Sequence, residues 1–189
     1  MSLGALTATA GAARAACGVV VTASHNPVEY NGLKVLARDG RKIPDAEERA
    51  LEAAMEIALA EPVQVAAPSV VHAAEAQEYR GRYERTLGAL AQTVDAAGLR
   101  VVVDAAHGAA SPFAVAALAA TGATVLPFAM GDGVINDGVG ATDPAALGEQ
   151  VRAHGANLGI ALDGDADRCV VVDAGGRAID GDVLIALIA

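Results

Sequence analysis

Asp163-Gly-Asp-Ala-Asp-Arg168 places three carboxylates at alternate positions, directly after the apolar run Leu158-Gly-Ile-Ala-Leu162. On a loop leaving a strand, side chains so spaced converge on one point if the loop curls, and the small Gly164 and Ala166 permit that curl. Three hard oxygen donors suit Mg²⁺, which accepts few protein carboxylates and keeps positions for water or phosphate oxygen. Without a cation the three charges repel one another. A solvated acidic turn explains one aspartate well and three poorly. An EF-hand calcium loop is excluded: its sixth position would be Arg168 rather than Gly, its twelfth Ala174 rather than Glu, and a strand precedes it.

Thr22-Ala-Ser-His-Asn-Pro27 is a second candidate, closing the β-branched run Gly18-Val-Val-Val-Thr22. Ligands gather at the carboxyl ends of strands in open α/β sheets, so both motifs could share a cleft. Ser24 beside His25 suggests a nucleophile and base, but adjacent residues rarely face each other and no Gly-x-Ser-x-Gly elbow is present. Alone, the motif reads as a polar turn bent by Asn26-Pro27.

The elements that must carry these loops follow from periodicity. Gly18–Thr22 and Leu33–Ala37 read as strands, with Asp39-Gly40 as a hairpin-type turn. Pro44-Asp45 opens a helix, Glu48 standing to Asp45 as in a capping box. Leu51, Ala54, Met55, Ala58 and Leu59 form its apolar face, and Pro62 ends it. Glu61–Val71 reads as a connector or edge strand; a longer helix through Tyr79, Tyr83, Leu87, Leu90 and Val94 follows, terminated by Gly98. Then come strand Leu99–Val103, helix Pro112–Ala120, strand Ala123–Phe128, helix Pro144–His154, strand Leu158–Leu162 and strand Cys169–Val172. This alternation predicts an α/β fold with a mixed, largely parallel sheet, and a domain boundary near Glu75–Arg80.

Composition narrows the function classes. The chain has 189 residues, long enough for one sizeable or two small domains. Lys+Arg 13 against Asp+Glu 23 gives a net charge of −10, which argues against nucleic-acid binding. A hydrophobic share of 53% with only 3% aromatic residues predicts a core of Ala, Val, Leu and Ile. Cys17 and Cys169 cannot make a disulfide scaffold and read as free buried thiols. Gly108–Gly131 carries no charged side chain, yet Ser111-Pro112, Thr121-Gly122 and Pro127 break it into a helix-sized and a strand-sized piece. With no basic region before the apolar N-terminus, a cytoplasmic protein without membrane contact is expected.

Taken together, the two motifs, with Tyr30-Asn-Gly-Leu-Lys34, Ile43-Pro-Asp45, Val139-Gly-Ala-Thr-Asp143 and Asp173–Asp182, resemble the α-D-phosphohexomutase superfamily and, within it, the bacterial phosphoglucosamine mutase branch. The resemblance runs from about Gly18 to the last residue. It implies three-layer α/β domains: residues 1–78 as the C-terminal part of the first domain, 79–180 as the second, and 181–189 as the start of a further segment. It also implies that Ser24 is carried as a phosphoserine that exchanges its phosphoryl group with a phosphorylated hexose or hexosamine through a bisphosphate. Asp163, Asp165 and Asp167, with a phosphoserine oxygen at Ser24, would hold one Mg²⁺; Arg168 would contact the phosphate, and Lys34 and His25 match positions for proton transfer. The implied reaction interconverts glucosamine 6-phosphate and glucosamine 1-phosphate.

Departures from the family pattern shape the alternatives. A Gly-Thr-x-Gly-x-Arg signature and the sugar- and phosphate-recognition loops of the third and fourth domains are absent, so the chain is expected to be a fragment. The loop Gly133–Asp137 is shortened, and His107 stands where Asn is customary, either as a loop residue or as a functional change. Met1–Ala16 match poorly, and the apolar Val183–Ala189 suggests faces that self-associate. The alternatives are a phosphomannomutase or phosphoglucomutase, or a catalytically incompetent metal-binding fragment. A haloacid-dehalogenase-type phosphatase ranks last, since only 189 − 165 = 24 residues follow Asp165 to supply its further motifs. No mutase turnover is expected from these residues alone; conversion of glucosamine 6-phosphate by the pure chain would refute this.

Overall fold

A computed structural model describes residues 16–60 and 73–189, which fall into two compact units. Of the described residues, 16–20, 33–60 and 73–83 belong to the first; Val21–Gly32 and Glu84–Ala189 form the second.

The strands β1 (Cys17–Thr22) and β2 (Gly32–Ala37) form a two-stranded sheet. The expected turn is present: Gly40 has φ 80°, and Leu36 bridges to Lys42 across it. Helix α1 spans Asp45–Leu59. Its capping box does not form, because Pro44 occupies the cap at φ −59° and Asp45 is already the first helical residue. Glu48 instead pairs with Lys42 at 2.9 Å. The predicted apolar face carries no buried residue; Leu51, Met55 and Leu59 are all exposed, Leu59 at 73%. Pro62 and the connector Glu61–Val71 lie outside the described residues.

Helix α2 (Ala73–Ala91) runs through the expected boundary near Glu75–Arg80 and ends before Val94 and Gly98. The early end of the helix has a local cause. Thr93 Oγ1 donates to the Leu90 carbonyl at 2.7 Å and Asp95 accepts from the Ala97 amide at 3.0 Å, so short polar side chains capture the backbone. Gly98, at φ 82°, then turns the chain into the next strand.

The second unit is built on β3 (Arg100–Asp104), β4 (Thr124–Phe128), β5 (Leu158–Leu162), β6 (Cys169–Asp173) and β7 (Ala178–Ile179), in the order β4-β3-β5-β6-β7. The β3–β4 and β3–β5 pairs are parallel; β5–β6 and β6–β7 are antiparallel. The sheet is therefore mixed, with its parallel part around β3. Helix α3 (Ala114–Ala119) connects β3 to β4, α4 (Ala145–Ala153) connects β4 to β5, and α5 (Gly181–Ile188) follows β7. The two crossovers travel in opposite directions along the sheet, so a common handedness requires their helices on opposite faces. The core obeys this. Val102, Leu147, Val151, Ala161 and Val172 cluster on one face, while Val103, Ala105, Ala110 and Ala114 cluster on the other, giving three layers.

Because neighbours leave β3 in opposite directions, the carboxyl ends of β3 and β5 flank a topological switch point, where open sheets form ligand crevices. Fully buried Asp104 fastens the loops there, accepting from the Ala106 amide at 2.8 Å and the Gly140 amide at 2.7 Å. The uncharged stretch 108–131 resolves into α3 and β4, and no helix among the described residues is long and apolar enough to cross a membrane. Cys17 and Cys169 are free but exposed rather than buried, each opening a strand. The buried apolar set is Ala, Val and Leu with Phe113, and no Ile among the described residues.

This core makes two expectations measurable. Leu147 is fully buried, so Leu147→Ala should cost about 2–5 kcal/mol of stability by urea unfolding. Burial holds the Asp104 carboxyl above its ordinary value of 3.8 against the lowering by the amides of Ala106 and Gly140 and by His107. A raised folded-state value contributes stability that is present below the ordinary value and lost as pH rises through the raised one. The stability of the wild type relative to Asp104→Asn should therefore fall as pH rises above 3.8; a difference independent of pH would contradict it.

Candidate active site

The loop after β5 winds around the first of its own aspartates. Asp163 is fully buried, and its Oδ1 accepts from the amides of Asp167 and Arg168, each at 3.1 Å. Asp163 N–H donates to the Arg168 carbonyl at 3.4 Å, and Ala166 takes φ 59° to close the curl. Asp163, Asp165 and Asp167 then each offer an oxygen within 4.8 Å of the others. Burial pushes the Asp163 carboxyl up; the Arg168 and Asp167 amides oppose the rise, while like charge from Asp165 and Asp167 adds to it.

These residues fit a small divalent cation. Asp163 Oδ2 is buried without a hydrogen-bond partner, an arrangement that costs free energy unless something positive meets it. One carboxylate oxygen from each of Asp163, Asp165 and Asp167 supplies the hard donor set that such a cation takes.

The serine loop belongs to the same unit. Ala23 is buried, and Ser24 follows it in the left-handed region at φ 52°. For a residue with a side chain that conformation costs about 1–2 kcal/mol, so its surroundings must hold it. Thr22 Oγ1 accepts the Ser24 amide at 2.8 Å, and the Asn136 Nδ2 donates to the carbonyls of Ser24 at 2.7 Å and Asn26 at 3.0 Å. Three such bonds, at about 0.5–1.5 kcal/mol each, match the strain. The Ser24 hydroxyl donates to Asp165 Oδ1 at 3.4 Å, and His25 Nδ1 lies 3.5 Å from Ser24 Oγ. Both distances are long for hydrogen bonds, and they define a shared position rather than a tight network.

Ser24, His25, Asp163, Asp165 and Asp167 are thus brought together. Arg168 contributes its amide to Asp163, while its guanidinium is largely exposed, with Nε 3.9 Å from Asp167. Lys34 sits exposed on β2 in the first unit. His107 resolves as a loop anchor: at φ 53°, its Nδ1 accepts the Gly133 amide at 3.1 Å. Sequence reasoning missed Thr22, Asp104 and Asn136 as supports. Asn136 carried one usable signal, since Asn in a Gly-rich loop tolerates the left-handed region it occupies at φ 58°.

Close backbone approach completes the site. Ala109 N–H donates to the Gly164 carbonyl at 2.9 Å, and a Cβ on Gly108 would stand 2.3 Å from that oxygen. A Cβ on Gly164 would meet the Ser24 carbonyl at 2.5 Å.

Comparisons with known proteins bear on the family. Residues 1–60 match phosphoglucomutase/phosphomannomutase alpha/beta/alpha domain I, and residues 82–176 match alpha/beta/alpha domain II. The first match includes Met1–Ala16, which motifs alone had left outside the resemblance. A phosphoglucosamine mutase from Ruegeria sp. (strain TM1040) is 47% identical over 179 residues, covering 93% of this chain and 39% of the relative. One from Janthinobacterium sp. (strain Marseille) is 47% identical over 180 residues, covering 92% and 39%. The chain therefore spans well under half the length of the curated relatives it matches. The crystal structure of a putative phosphomannomutase from Thermus thermophilus is similar with a TM-score of 0.68 at 25% identity, over 100% of this chain and 44% of that one. Matched along most of its length, and with the serine and aspartate loops in one unit, the chain belongs to the phosphoglucomutase/phosphomannomutase family, the α-D-phosphohexomutases.

Proposed function

We propose that the chain carries the phosphoryl-transfer and metal-binding part of a phosphoglucosamine mutase, acting on glucosamine 6-phosphate and glucosamine 1-phosphate in the cytoplasm. The observation that carries this reading is the placement of Ser24 Oγ 3.4 Å from Asp165 within reach of the aspartate triad. The 47% identity to phosphoglucosamine mutases supports the choice of a hexosamine phosphate. Residues 1–78 and 79–180 are read as the serine-bearing and aspartate-bearing domains, with 181–189 leading into a further segment.

In this reading Ser24 carries a phosphoryl group on Oγ. A sugar hydroxyl oxygen bonds to phosphorus as the bond to Ser24 Oγ breaks, giving a sugar bisphosphate; return of the other phosphoryl group restores the serine ester. Asp163, Asp165 and Asp167 would hold Mg²⁺, which when bound supplies positive charge beside the phosphoryl oxygens. Thr22 and the turn at Ala23 hold the backbone at Ser24. His25, beside Ser24, is placed to take or return the hydroxyl proton, with Lys34 as the second proton-transfer candidate. Arg168 offsets phosphate charge, since a phosphoserine brings about −2 at neutral pH. Transfer of this kind rests on positioning and electrostatics rather than on covalent chemistry by the protein.

Intact mass after incubation with glucosamine 1,6-bisphosphate and Mg²⁺ tests the reading. One added phosphoryl group, mapped to Ser24 and abolished in Ser24→Ala, is the expected result. Asp165→Asn should raise the Mg²⁺ concentration needed for loading about tenfold or more, as loss of one ligand charge implies. A wild-type chain that stays unmodified would overturn the assignment.

A further inference from the structure

Asn136 lies 112 residues from Ser24 in sequence, yet its carboxamide binds the serine loop at Ser24 and again two residues further on, at Asn26. Nδ2 donates to the carbonyls of Ser24 and Asn26, at 2.7 and 3.0 Å, while Oδ1 is buried with no partner. The group therefore engages the loop only as a donor. An acid of the same shape would place a third oxygen against two carbonyls, so chemistry rather than volume selects the amide.

The arm that carries Asn136 is itself fixed. Its amide donates to the Ala106 carbonyl at 3.1 Å, and three residues earlier Gly133 N–H donates to His107 Nδ1 at 3.1 Å. Its other flank is closed by the aspartate loop: a Cβ on Gly164 would fall 2.5 Å from the Ser24 carbonyl, 2.7 Å from Ile135 and 3.0 Å from Asn136 Nδ2. The Ser24 carbonyl, the Asn136 amide and the Gly164 backbone are thus packed into one contact, between the residue that reacts and the loop that supplies the carboxylates.

Resting on the phosphoserine reading above, we propose that Asn136 is a positioning residue for phosphoryl transfer: it clamps Ser24 in its left-handed conformation and so aims Oγ at the aspartate triad. The clamp acts on the rate of transfer and not on capture of the sugar, because it touches backbone carbonyls of the serine loop and leaves the side chains of Ser24 and His25 available.

The test compares the wild-type chain with Asn136→Asp, which keeps shape and tolerance of positive φ, and Asn136→Gly, which removes the side chain without adding charge. Phosphoryl loading from glucosamine 1,6-bisphosphate with Mg²⁺ gives one readout and hydrogen exchange across residues 21–32 gives the other. Both variants should lower the maximal loading rate about tenfold to a hundredfold, with half-saturating bisphosphate within about twofold of wild type. Exchange should quicken over 21–32 and stay unchanged in β3 and β5. Loading at the wild-type rate in both variants, or unchanged exchange over 21–32, would overturn the proposal. A half-saturation shift with an unchanged maximal rate would overturn it too, assigning Asn136 to sugar binding. If the wild-type chain itself takes no phosphoryl group, the functional reading falls, and the exchange comparison alone decides whether Asn136 is the clamp.

Discussion

The geometry of the site depends on one buried carboxylate. Asp163 Oδ1 gathers the amides of Asp167 and Arg168, and this self-wrapping turns a run of alternating acids into a converging set. The arrangement is electrostatically uphill: burial and two like charges bear on the same group. It persists because the loop's backbone is satisfied by the very side chain it encloses, and because Gly164 lets two other loops press against it. The shape is set by the hydrogen bonds.

Each loop in turn is fastened by an element that contributes no chemistry of its own. Asp104 ends the most deeply buried strand and binds the amides on either side of the crevice, while His107 uses a ring nitrogen as a plain acceptor for a loop amide. Ser24, Ala106, His107, Asn136 and Ala166 all take positive φ within these few loops. Such a concentration of left-handed residues marks a place where backbone strain is held by its surroundings, as at many functional sites.

What the sequence made legible was what side-chain type and short spacing encode. The aspartates of 163–167, the turn at Gly40 and the strand-helix alternation after Gly98 were readable because each depends on neighbours a few residues away. Helix α2 fell short of its reading because apolar spacing continued to Val94 while Thr93 and Asp95 had already drawn the backbone out of the helix. The capping box at Asp45 failed by a single residue, since Pro44 took the cap. Asn136 was illegible for a different reason: its partners are distant in sequence, and its role exists only once the loops after β3, β4 and β5 have met.

The aspartate loop is also the turn of a hairpin. Leu162 on β5 pairs with Cys169 on β6, so the six residues between them are held at both ends by the antiparallel ladder. A segment this short and doubly tethered has little conformational entropy left to surrender when an ion arrives. It also has little freedom to expand around a larger one. Discrimination between ions of equal charge would then come from stiffness in the sheet, transmitted through two strand ends, as much as from the chemical identity of the oxygens themselves.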